Sequence, residues 1–387
     1  MDTSFQALDQ LLTEDIEHAT ARVGSRSVFC DDDQLVLYGA GNLGRYTLKK
    51  LREIGVQPAA FADDTPSKQG TVIDDLPVMT PREAAKEFVE RTRFIVTIMN
   101  VMLRFVDARK RLQQFTHRSV LSFLDLTWQY SHTFLPYYQF ELPQRLLSKS
   151  AEIRRGFEVW SDEESRRQYV AHLQFRLHLD YESLPDNSGQ GYFPRDIFRT
   201  LPEHITFVDC GAYDGDTLRR FIEHQGAEFR RIYAFEPDEN NCARLRNYVA
   251  GLGQSVANKI EIYNAAVGDT KKRIGFNTTG DMSASFDEAA VTQVEVIPLD
   301  EVIERNGSAV FLKFDVEGGE WEALQGARRL LSETKPLIAI SVYHRPDDLW
   351  QLPLYLESLR FGYQLFLRTQ GEDGMDVICY AIPPQLV

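Results

Sequence analysis

The sequence contains few cysteines, and the four it has are scattered. They are Cys30, Cys210, Cys242 and Cys379, and no two of them form a C-x-x-C pair. The disulfide framework of a small secreted protein, or a structural zinc site, needs cysteines in close and repeated spacing. We therefore expect small buried side chains in a reducing compartment, and no metal site built on cysteine.

Long apolar runs are also missing. No window approaches the ~20 consecutive apolar residues that a membrane-spanning helix needs. The first ten residues, MDTSFQALDQ, lack the basic region and apolar stretch of a secretory signal. These two absences predict a cytoplasmic protein without a membrane partner.

Positive charge is in deficit. The 387 residues carry 43 Lys and Arg against 57 Asp and Glu, a net charge of −14. A field of that sign disfavours the phosphate backbone of nucleic acids, so we expect no nucleic-acid partner. The hydrophobic share of 43% and the charged share of 26% are those of ordinary globular chains. The length suggests about two or three domains, and a homo-oligomer is compatible with the sequence.

The first glycine motif lies near the amino terminus. An apolar run ends at Tyr38, the letters GAGNLG place Gly39, Gly41 and Gly44 in a turn, and Asp63 closes the next apolar run. This order predicts the first unit of a Rossmann-like sheet, whose acid would bind a ribose. The alternative is a glycine turn kept only for packing. If the motif binds a ligand, we expect a nucleotide-linked sugar or an NAD-like molecule.

Hydrophobic patterning divides the chain into three parts. Residues 1–120 are predicted to form an amino-terminal helix and the small Rossmann-like domain. Residues 121–200 are aromatic-rich with helical spacing and are predicted to be a helical connector. Residues 201–387 alternate near-continuous apolar strands with amphipathic helices and end in a hairpin around TQGEDG. The fold class is therefore α/β, with two three-layer α/β/α domains and an antiparallel edge on the second.

Polar side chains close five strands of the third part. They are Asp209, Glu236, Asn264, Asp315 and His344. An isolated polar strand end is often a helix cap. Ligands of open α/β sheets bind outside the carboxyl ends of the strands, so five such residues predict a site.

The stretch FVDCGAYDGDT suggests which cofactor this site takes. Gly211 allows close approach of a ligand, Gly215 relieves crowding at the helix start, and Glu236 ends the next strand, where it can accept ribose hydroxyls. A diphosphate would be repelled by Asp214 and Asp216, whereas an ammonium and a sulfonium would be attracted. The loop therefore favours S-adenosylmethionine over NAD.

Five motifs of this part resemble one family. FVDCGAYDGDT, AFEPD, NAAVGD, LKFDVEGGEWEALQGA and ISVYHRPDDL are together similar to the FkbM family of S-adenosylmethionine-dependent methyltransferases. The similarity extends from about residue 190 to 382, and the motifs occur in the family's order. The resemblance implies a seven-stranded methyltransferase sheet and O-methylation of a sugar-containing or natural-product hydroxyl. The glycine loop carries Tyr213 where commoner methyltransferases have the middle one of three alternating glycines.

The resemblance also implies roles for particular residues. Those near the cofactor, from its methionine end to its adenine, would be Asp209, Gly211, Ala212, Tyr213, Asp214, Gly215, Glu236, Pro237, Asn264 and Ala265. Tyr192 and Phe193 would close over the cofactor, unless they are only core aromatics. Weak candidates for substrate contact are Ser283 and Ser285.

A hydroxyl nucleophile needs a proton acceptor. We predict His344 as the general base, with Asp315 as its orienting or competing carboxylate. The alternative for His344 is a helix-start residue, and for Glu317 a helix-dipole partner rather than a catalytic group. We predict no metal ligands, although Asp315 and His344 leave a divalent ion as an alternative. Two other functions stay open: an NAD-dependent oxidoreductase that uses the amino-terminal domain, and a non-catalytic nucleotide-sugar-binding protein.

Overall fold

The computed structural model describes residues 3–25, 30, 32–100, 103–187, 189–198, 200–277, 285–286 and 292–386. The chain forms two compact units. The amino-terminal unit comprises Met1–Arg154, Arg167–Asn187 and Gly371–Asp376, and the carboxyl-terminal unit comprises Arg155–Arg166, Ser188–Gln370 and Val377–Val387. Among the described residues, no helix combines the length and the apolar composition that crossing a bilayer requires.

The amino-terminal unit contains a six-stranded sheet in the order β3-β4-β2-β1-β5-β6. Its strands are β1 (Gln34–Tyr38), β2 (Ala60–Ala62), β3 (Val72–Ile73), β4 (Leu76–Met79), β5 (Thr92–Val96) and β6 (Leu121–Ser122). All neighbours are parallel except the β3–β4 pair. Strands β1, β2 and β5 are almost wholly buried, as expected for a parallel sheet covered by helices.

The described part of the chain up to residue 187 contains ten α-helices. They are α1 (Thr3–Leu12), α2 (Ile16–Ser25), α3 (Asn42–Glu53), α4 (Pro81–Phe88), α5 (Phe105–Leu112), α6 (Phe123–Gln129), α7 (Ser131–Phe134), α8 (Pro143–Leu147), α9 (Ser150–Glu158) and α10 (Glu163–His178). Short 3₁₀ turns lie at Val89–Arg91 and Tyr181–Ser183. The single helix expected at the amino terminus is two helices. Asp15 accepts the backbone N–H groups of Glu17 and His18 and thereby caps the second.

The expected connector over 121–200 does not form a unit of its own in the described residues. Phe123, Trp128, Phe134 and Phe175 belong to the core that also contains Phe94 of the first sheet. In contrast, residues 155–166 join the carboxyl-terminal unit, since the Ser161 N–H donates to the carbonyl of Leu365 at 2.8 Å. The aromatic residues that suggested a linker instead cover a sheet, because burying them excludes large apolar surfaces from water.

The described residues of the carboxyl-terminal unit form eleven strands in two sheets. They are β7 (Ile205–Cys210), β8 (Phe229–Phe235), β9 (Ile260–Tyr263), β10 (Ala266–Val267), β11 (Lys272–Asn277), β12 (Ser285–Phe286), β13 (Gln293–Ile297), β14 (Val310–Phe314), β15 (Leu337–Ser341), β16 (Gln364–Thr369) and β17 (Val377–Ile382). The main sheet has seven strands in the order β16-β17-β15-β14-β7-β8-β9, and the smaller sheet has the order β10-β13-β11-β12.

The helices of this unit alternate with the parallel strands. They are α11 (Asp216–Gln225), α12 (Glu239–Ala250), α13 (Gln254–Ala257), α14 (Leu299–Val302), α15 (Glu320–Gln325), α16 (Arg328–Thr334) and α17 (Asp348–Ser358), with a 3₁₀ turn at Pro384–Leu386. Strands β7, β8, β9, β14 and β15 are parallel, while β16 and β17 form the antiparallel edge. The predicted α/β class, seven-stranded sheet and closing hairpin are confirmed.

Candidate active site

The five predicted strand-end residues lie along one edge of the seven-stranded sheet. Asp209 is in β7, Asp315 follows β14, and His344 lies just beyond β15. Since β7, β14 and β15 are parallel neighbours, their carboxyl ends lie side by side. Glu236 and Asn264 follow β8 and β9 on the same edge. The tertiary structure thus brings together residues that are up to 135 positions apart in sequence.

The glycine loop after β7 depends on its glycines for reasons internal to the chain. Gly211 has φ +85°, and a Cβ there would overlap the backbone carbonyl oxygen of Asp315. Gly215 has φ +91°, and a Cβ there would lie 2.9 Å from the Leu245 side chain. L-residues rarely adopt this left-handed conformation, so both positions require glycine even without a ligand.

Glu236, the predicted ribose acid, supports this loop in the structure. Its carboxylate accepts the N–H of Tyr213 at 2.8 Å and the N–H of Asp238 at 2.9 Å. Burial raises the pKa of Glu236 to about 7, against the opposing effect of these hydrogen bonds. Asn264 donates its side-chain amide to the carbonyls of Glu236 and Pro237 at 3.0 and 3.1 Å, which links the ends of β8 and β9. Ala265 beside it is buried.

The loop is less negative than its sequence suggested. Asp214 forms an ion pair with Arg219 at 2.5 Å, and the buried Asp209 forms one with Lys313 at 3.1 Å. Asp216, at the start of α11, is exposed. Two of the three expected carboxylates therefore have a cation of the chain beside them. The Asp209–Lys313 pair could not be read from sequence spacing, because Lys313 is 104 positions away in sequence, on the neighbouring strand β14.

Lys313 was missed by the sequence analysis. It lies within β14 and is 1% exposed, and its ammonium donates to the Gly211 carbonyl at 2.6 Å. The one available signal was a lysine inside the otherwise apolar run AVFLKFDV, because lysine is almost never fully buried unless it is paired.

His344 is surrounded by three carboxylates. Its Nδ1 lies 2.8 Å from Glu320, and its Nε2 lies 3.6 Å from Asp315 and 3.7 Å from Glu317. Burial by itself would lower the pKa of His344, but Glu320, Glu317 and Asp315 outweigh it and raise the pKa to about 10. In the free protein at neutral pH, His344 is therefore an imidazolium.

The carboxylates around His344 differ in exposure. Glu320 is buried and also accepts the Val316 N–H at 2.9 Å, so it fixes the imidazole ring rather than only favouring the helix dipole. The side chains of Asp315 and Glu317 are each 27% exposed. Burial would raise the pKa of Asp315, but Lys313, the His344 imidazolium and hydrogen bonds lower it.

The remaining contacts around this group bear on the helix-start interpretation of His344 and on a metal. The Ser341 hydroxyl donates to Asp315 at 2.8 Å. Asp348, not His344, accepts the Arg345 N–H at 2.8 Å before α17, so the helix-start interpretation of His344 is not what the structure has. Donor atoms of Asp315, Glu320 and His344 lie within 4.8 Å of one another, a spacing that a cation could bridge. In this structure the same atoms form a hydrogen-bonded network, in which His344 Nδ1 lies 2.8 Å from Glu320.

Comparison with known proteins finds a family match for part of the carboxyl-terminal unit. Residues 209–365 match the family model of the methyltransferase FkbM domain. This part of the chain is similar to the FkbM methyltransferase domain. The family match and the methyltransferase fold support a methyltransferase.

One solved structure shares the fold over nearly the whole chain. The chain is similar to the crystal structure of a methyltransferase FkbM from Methylobacillus flagellatus KT, with 23% identity, a TM-score of 0.74 and 98% of each chain covered. It is also similar to an rRNA methylase from Streptococcus thermophilus, with 12% identity and a TM-score of 0.30, over 48% of this chain and 90% of that one. No curated protein matches the chain.

Two aromatic residues precede the first strand of the FkbM domain. The Tyr192 hydroxyl lies 3.3 Å from Ser341 Oγ, and the Lys313 ammonium lies 5.1 Å from the centre of its ring. Phe193 is buried and packs on Phe207, Phe221 and Phe311. Tyr192 therefore lies at the candidate site. Phe193 packs in the core, as expected if it is only a core aromatic residue.

The two serines proposed to contact substrate are not tested by the structure. Ser283 lies outside the described residues. Ser285 is described only through the backbone of β12, where it pairs with Asn277 of β11. Their role stays a prediction.

The amino-terminal glycine motif gives a divided answer. A Cβ at Gly44 would overlap the Gly39 carbonyl oxygen, which favours the packing interpretation, whereas a Cβ at Gly41 would meet no atom within 4 Å. Asp63 accepts the Ala40 N–H at 2.8 Å and the Lys68 ammonium at 3.0 Å. Burial would raise the pKa of Asp63, but its hydrogen bonds lower it to about 2. Its carboxylate is thus engaged within the unit.

Proposed function

We propose that the FkbM domain transfers the methyl group of S-adenosylmethionine to a hydroxyl group of a small substrate, either sugar-containing or a natural product. The observation that carries this proposal is the position of His344. A buried imidazole with three carboxylates around it lies beside Asp315, whose carbonyl touches the glycine loop. A hydroxyl nucleophile needs a group that accepts its proton, and His344 is placed to accept it next to the loop that would bind the cofactor.

The residues along the edge fit the cofactor by their chemistry. S-adenosylmethionine supplies an electrophilic methyl carbon on a sulfonium. Glu236 would accept ribose hydroxyls, Asn264 would offer its amide oxygen near the adenine, and Asp209 and Asp214 would favour the cationic methionine end. Tyr213 and Tyr192 would flank it. The cations Lys313 and Arg219 are each paired with a carboxylate, which makes the loop a poor diphosphate site.

We assign the proton of the acceptor hydroxyl to Nε2 of His344. Glu320 holds the ring through Nδ1, and Asp315 and Glu317 hold the protonated form after transfer. In the free protein Nε2 already carries a proton of its own, which the imidazolium must release to solvent before Nε2 can accept the proton of the hydroxyl. A positively charged guest in the site lowers the pKa of an imidazolium, which favours its loss as the cofactor binds.

The two other functions have less support. An oxidoreductase would need the amino-terminal motif to bind NAD, and there Asp63 is engaged by Ala40 and Lys68. A pure nucleotide-sugar-binding protein would leave the carboxylates around His344 without a role. Gly41, where the chain leaves open space, still supports a nucleotide or nucleotide-sugar ligand as an addition to methyl transfer.

A labelled-methyl transfer screen tests the proposal. The purified chain is incubated with methyl-labelled S-adenosylmethionine and with panels of nucleotide sugars and polyhydroxy metabolites. We expect label in a hydroxylated acceptor, lost in His344→Asn, while the affinity for the cofactor in calorimetry stays close to wild type. Transfer to nitrogen or carbon atoms only, or unchanged turnover in His344→Asn, would contradict the proposal. NAD is titrated in parallel.

A further inference from the structure

Strand β14 contains a buried lysine for which methyl transfer has no obvious use. Lys313 is the fourth residue of β14, between Leu312 and Phe314, and is 1% exposed. A buried ammonium is costly unless charged partners and hydrogen bonds compensate it. A simple core position would be filled by an aliphatic side chain, as at Leu312. The lysine therefore calls for an explanation from its contacts.

The ammonium of Lys313 contacts the backbone of the glycine loop and the strand residue before it. It donates to the Gly211 carbonyl at 2.6 Å and forms an ion pair with Asp209 at 3.1 Å. The nearest oxygen of Asp315 lies 3.8 Å away, and the ring centre of Tyr192 lies 5.1 Å away. One buried cation thus lies beside three residues assigned to the cofactor, Gly211, Asp209 and Tyr192, and beside Asp315 of the His344 group.

We infer that Lys313 is a positioning residue of the cofactor site, which holds the glycine loop through Gly211 and keeps the Asp209 carboxylate charged beneath it. This inference rests on the proposed function, because it assumes that the loop receives S-adenosylmethionine. Lys313 does not need to touch the cofactor. It acts through the loop backbone and through the charge of Asp209, which is itself fully buried.

The charges that face Asp209 explain why the ammonium is needed. They come from Lys313 and Asp315 at the end of β14 and from Asp216 at the start of α11, and the thiol of Cys210 is next in β7. Burial raises the pKa of Asp209 to about 6, although Lys313 opposes this rise. Without the ammonium, burial and the two other aspartates would leave Asp209 protonated near neutral pH.

Isothermal titration of S-adenosylmethionine into variants at several pH values tests this role. We expect Lys313→Met to weaken the affinity about 10- to 100-fold at pH 7, the loss typical of a hydrogen bond to a charged group. The ratio of variant to wild-type Kd should fall between pH 6 and pH 9, because Asp209 regains its charge. Lys313→Arg keeps the charge and should retain much of the affinity.

Lys259 provides a matched control. Its ammonium donates to the carbonyls of Ala227 and Phe229 at 2.9 and 3.0 Å, at the opposite end of β8 from the loop. Like Lys313→Met, Lys259→Met removes a lysine that donates hydrogen bonds to backbone carbonyls. It should lower the melting temperature but leave the Kd for S-adenosylmethionine at its wild-type value. A similar loss of affinity in both variants would show a merely structural role and overturn the inference.

A double variant guards against misfolding of Lys313→Met. Asp209→Asn together with Lys313→Met leaves no unpaired charge in the interior and should fold. We expect it to bind weakly, with a Kd ratio to wild type that does not change between pH 6 and pH 9. Wild-type affinity in either variant would overturn the inference. A wild-type chain that binds no S-adenosylmethionine would instead overturn the proposed function, and this inference with it.

Discussion

The charge of His344 can be measured before any acceptor is known. The ordinary histidine pKa is about 6.5, and the three carboxylates raise that of His344 to about 10. At pH 7 the neutral form would then be about one molecule in a thousand. Two-dimensional NMR of the ¹⁵N-histidine-labelled chain resolves protonated from neutral rings, and His344→Asn identifies the signal among the eight histidines. We expect the His344 signal to stay protonated from pH 6 to pH 9.

Glu320 should contribute most of this effect among the carboxylates, because it is nearest, at 2.8 Å. We expect Glu320→Gln to lower the pKa of His344 by about 1–3 units, the usual effect of an opposite charge at this distance. Glu322→Gln is the matched control. Glu322 lies on the same helix but contacts Arg345 at 3.2 Å, so its removal should leave the His344 signal unchanged.

The same charge predicts how methyl transfer depends on pH. If neutral His344 is the base, the single-turnover rate should rise about tenfold per pH unit below its pKa. In Glu320→Gln the rise should occur at lower pH. A His344 signal that titrates near pH 6.5 would refute the electrostatic reasoning. A rate that is flat between pH 7 and pH 9 would instead assign the proton to Asp315 or Glu317.

Stability should follow the same titration. Because the folded-state pKa of His344 is raised, its stabilisation is complete below about pH 6.5 and is lost as the pH rises through about 10. Within that window the free energy of unfolding should fall by roughly 1.4 kcal/mol per pH unit, relative to His344→Asn. Urea unfolding measures this difference. Parallel curves for the two proteins would contradict the assignment.

Three further predictions concern the two loops. Gly211→Ala should cost more than the roughly 1–3 kcal/mol of a left-handed backbone, measured by urea unfolding, because its Cβ would also overlap the Asp315 carbonyl oxygen. Gly253→Ala, with open space around it, should change little. Glu236→Gln should weaken S-adenosylmethionine binding about tenfold in calorimetry, since one carbonyl oxygen replaces a carboxylate; equal affinity would remove Glu236 from the ribose site. Gly44→Ala should lower the melting temperature, because its Cβ would overlap the Gly39 carbonyl oxygen, whereas Gly41→Ala should leave the melting temperature unchanged. If the amino-terminal glycine motif binds a nucleotide sugar, Gly41→Ala should abolish that binding.

The pattern of the sequence was sufficient for the α/β class, for the glycine loops and for the set of strand-end residues. Strand periodicity and glycine spacing are local properties, and parallel strands necessarily place their carboxyl ends on one edge. Asp209, Glu236, Asn264, Asp315 and His344 could therefore be placed on one edge without coordinates. The family resemblance was likewise carried by contiguous motifs, and the family model matches over 209–365.

Only the tertiary structure decided the charges. Lys313 forms an ion pair with Asp209, which lies on the neighbouring strand but 104 positions earlier in sequence. Glu320 contacts His344 from a preceding helix. Neither pairing follows from spacing along the chain. The aromatic residues of 121–200 likewise belong to a core and not to a connector, because burial depends on what lies opposite. Distance and solvent exclusion set the strength of electrostatic interactions, and both are properties of the folded chain.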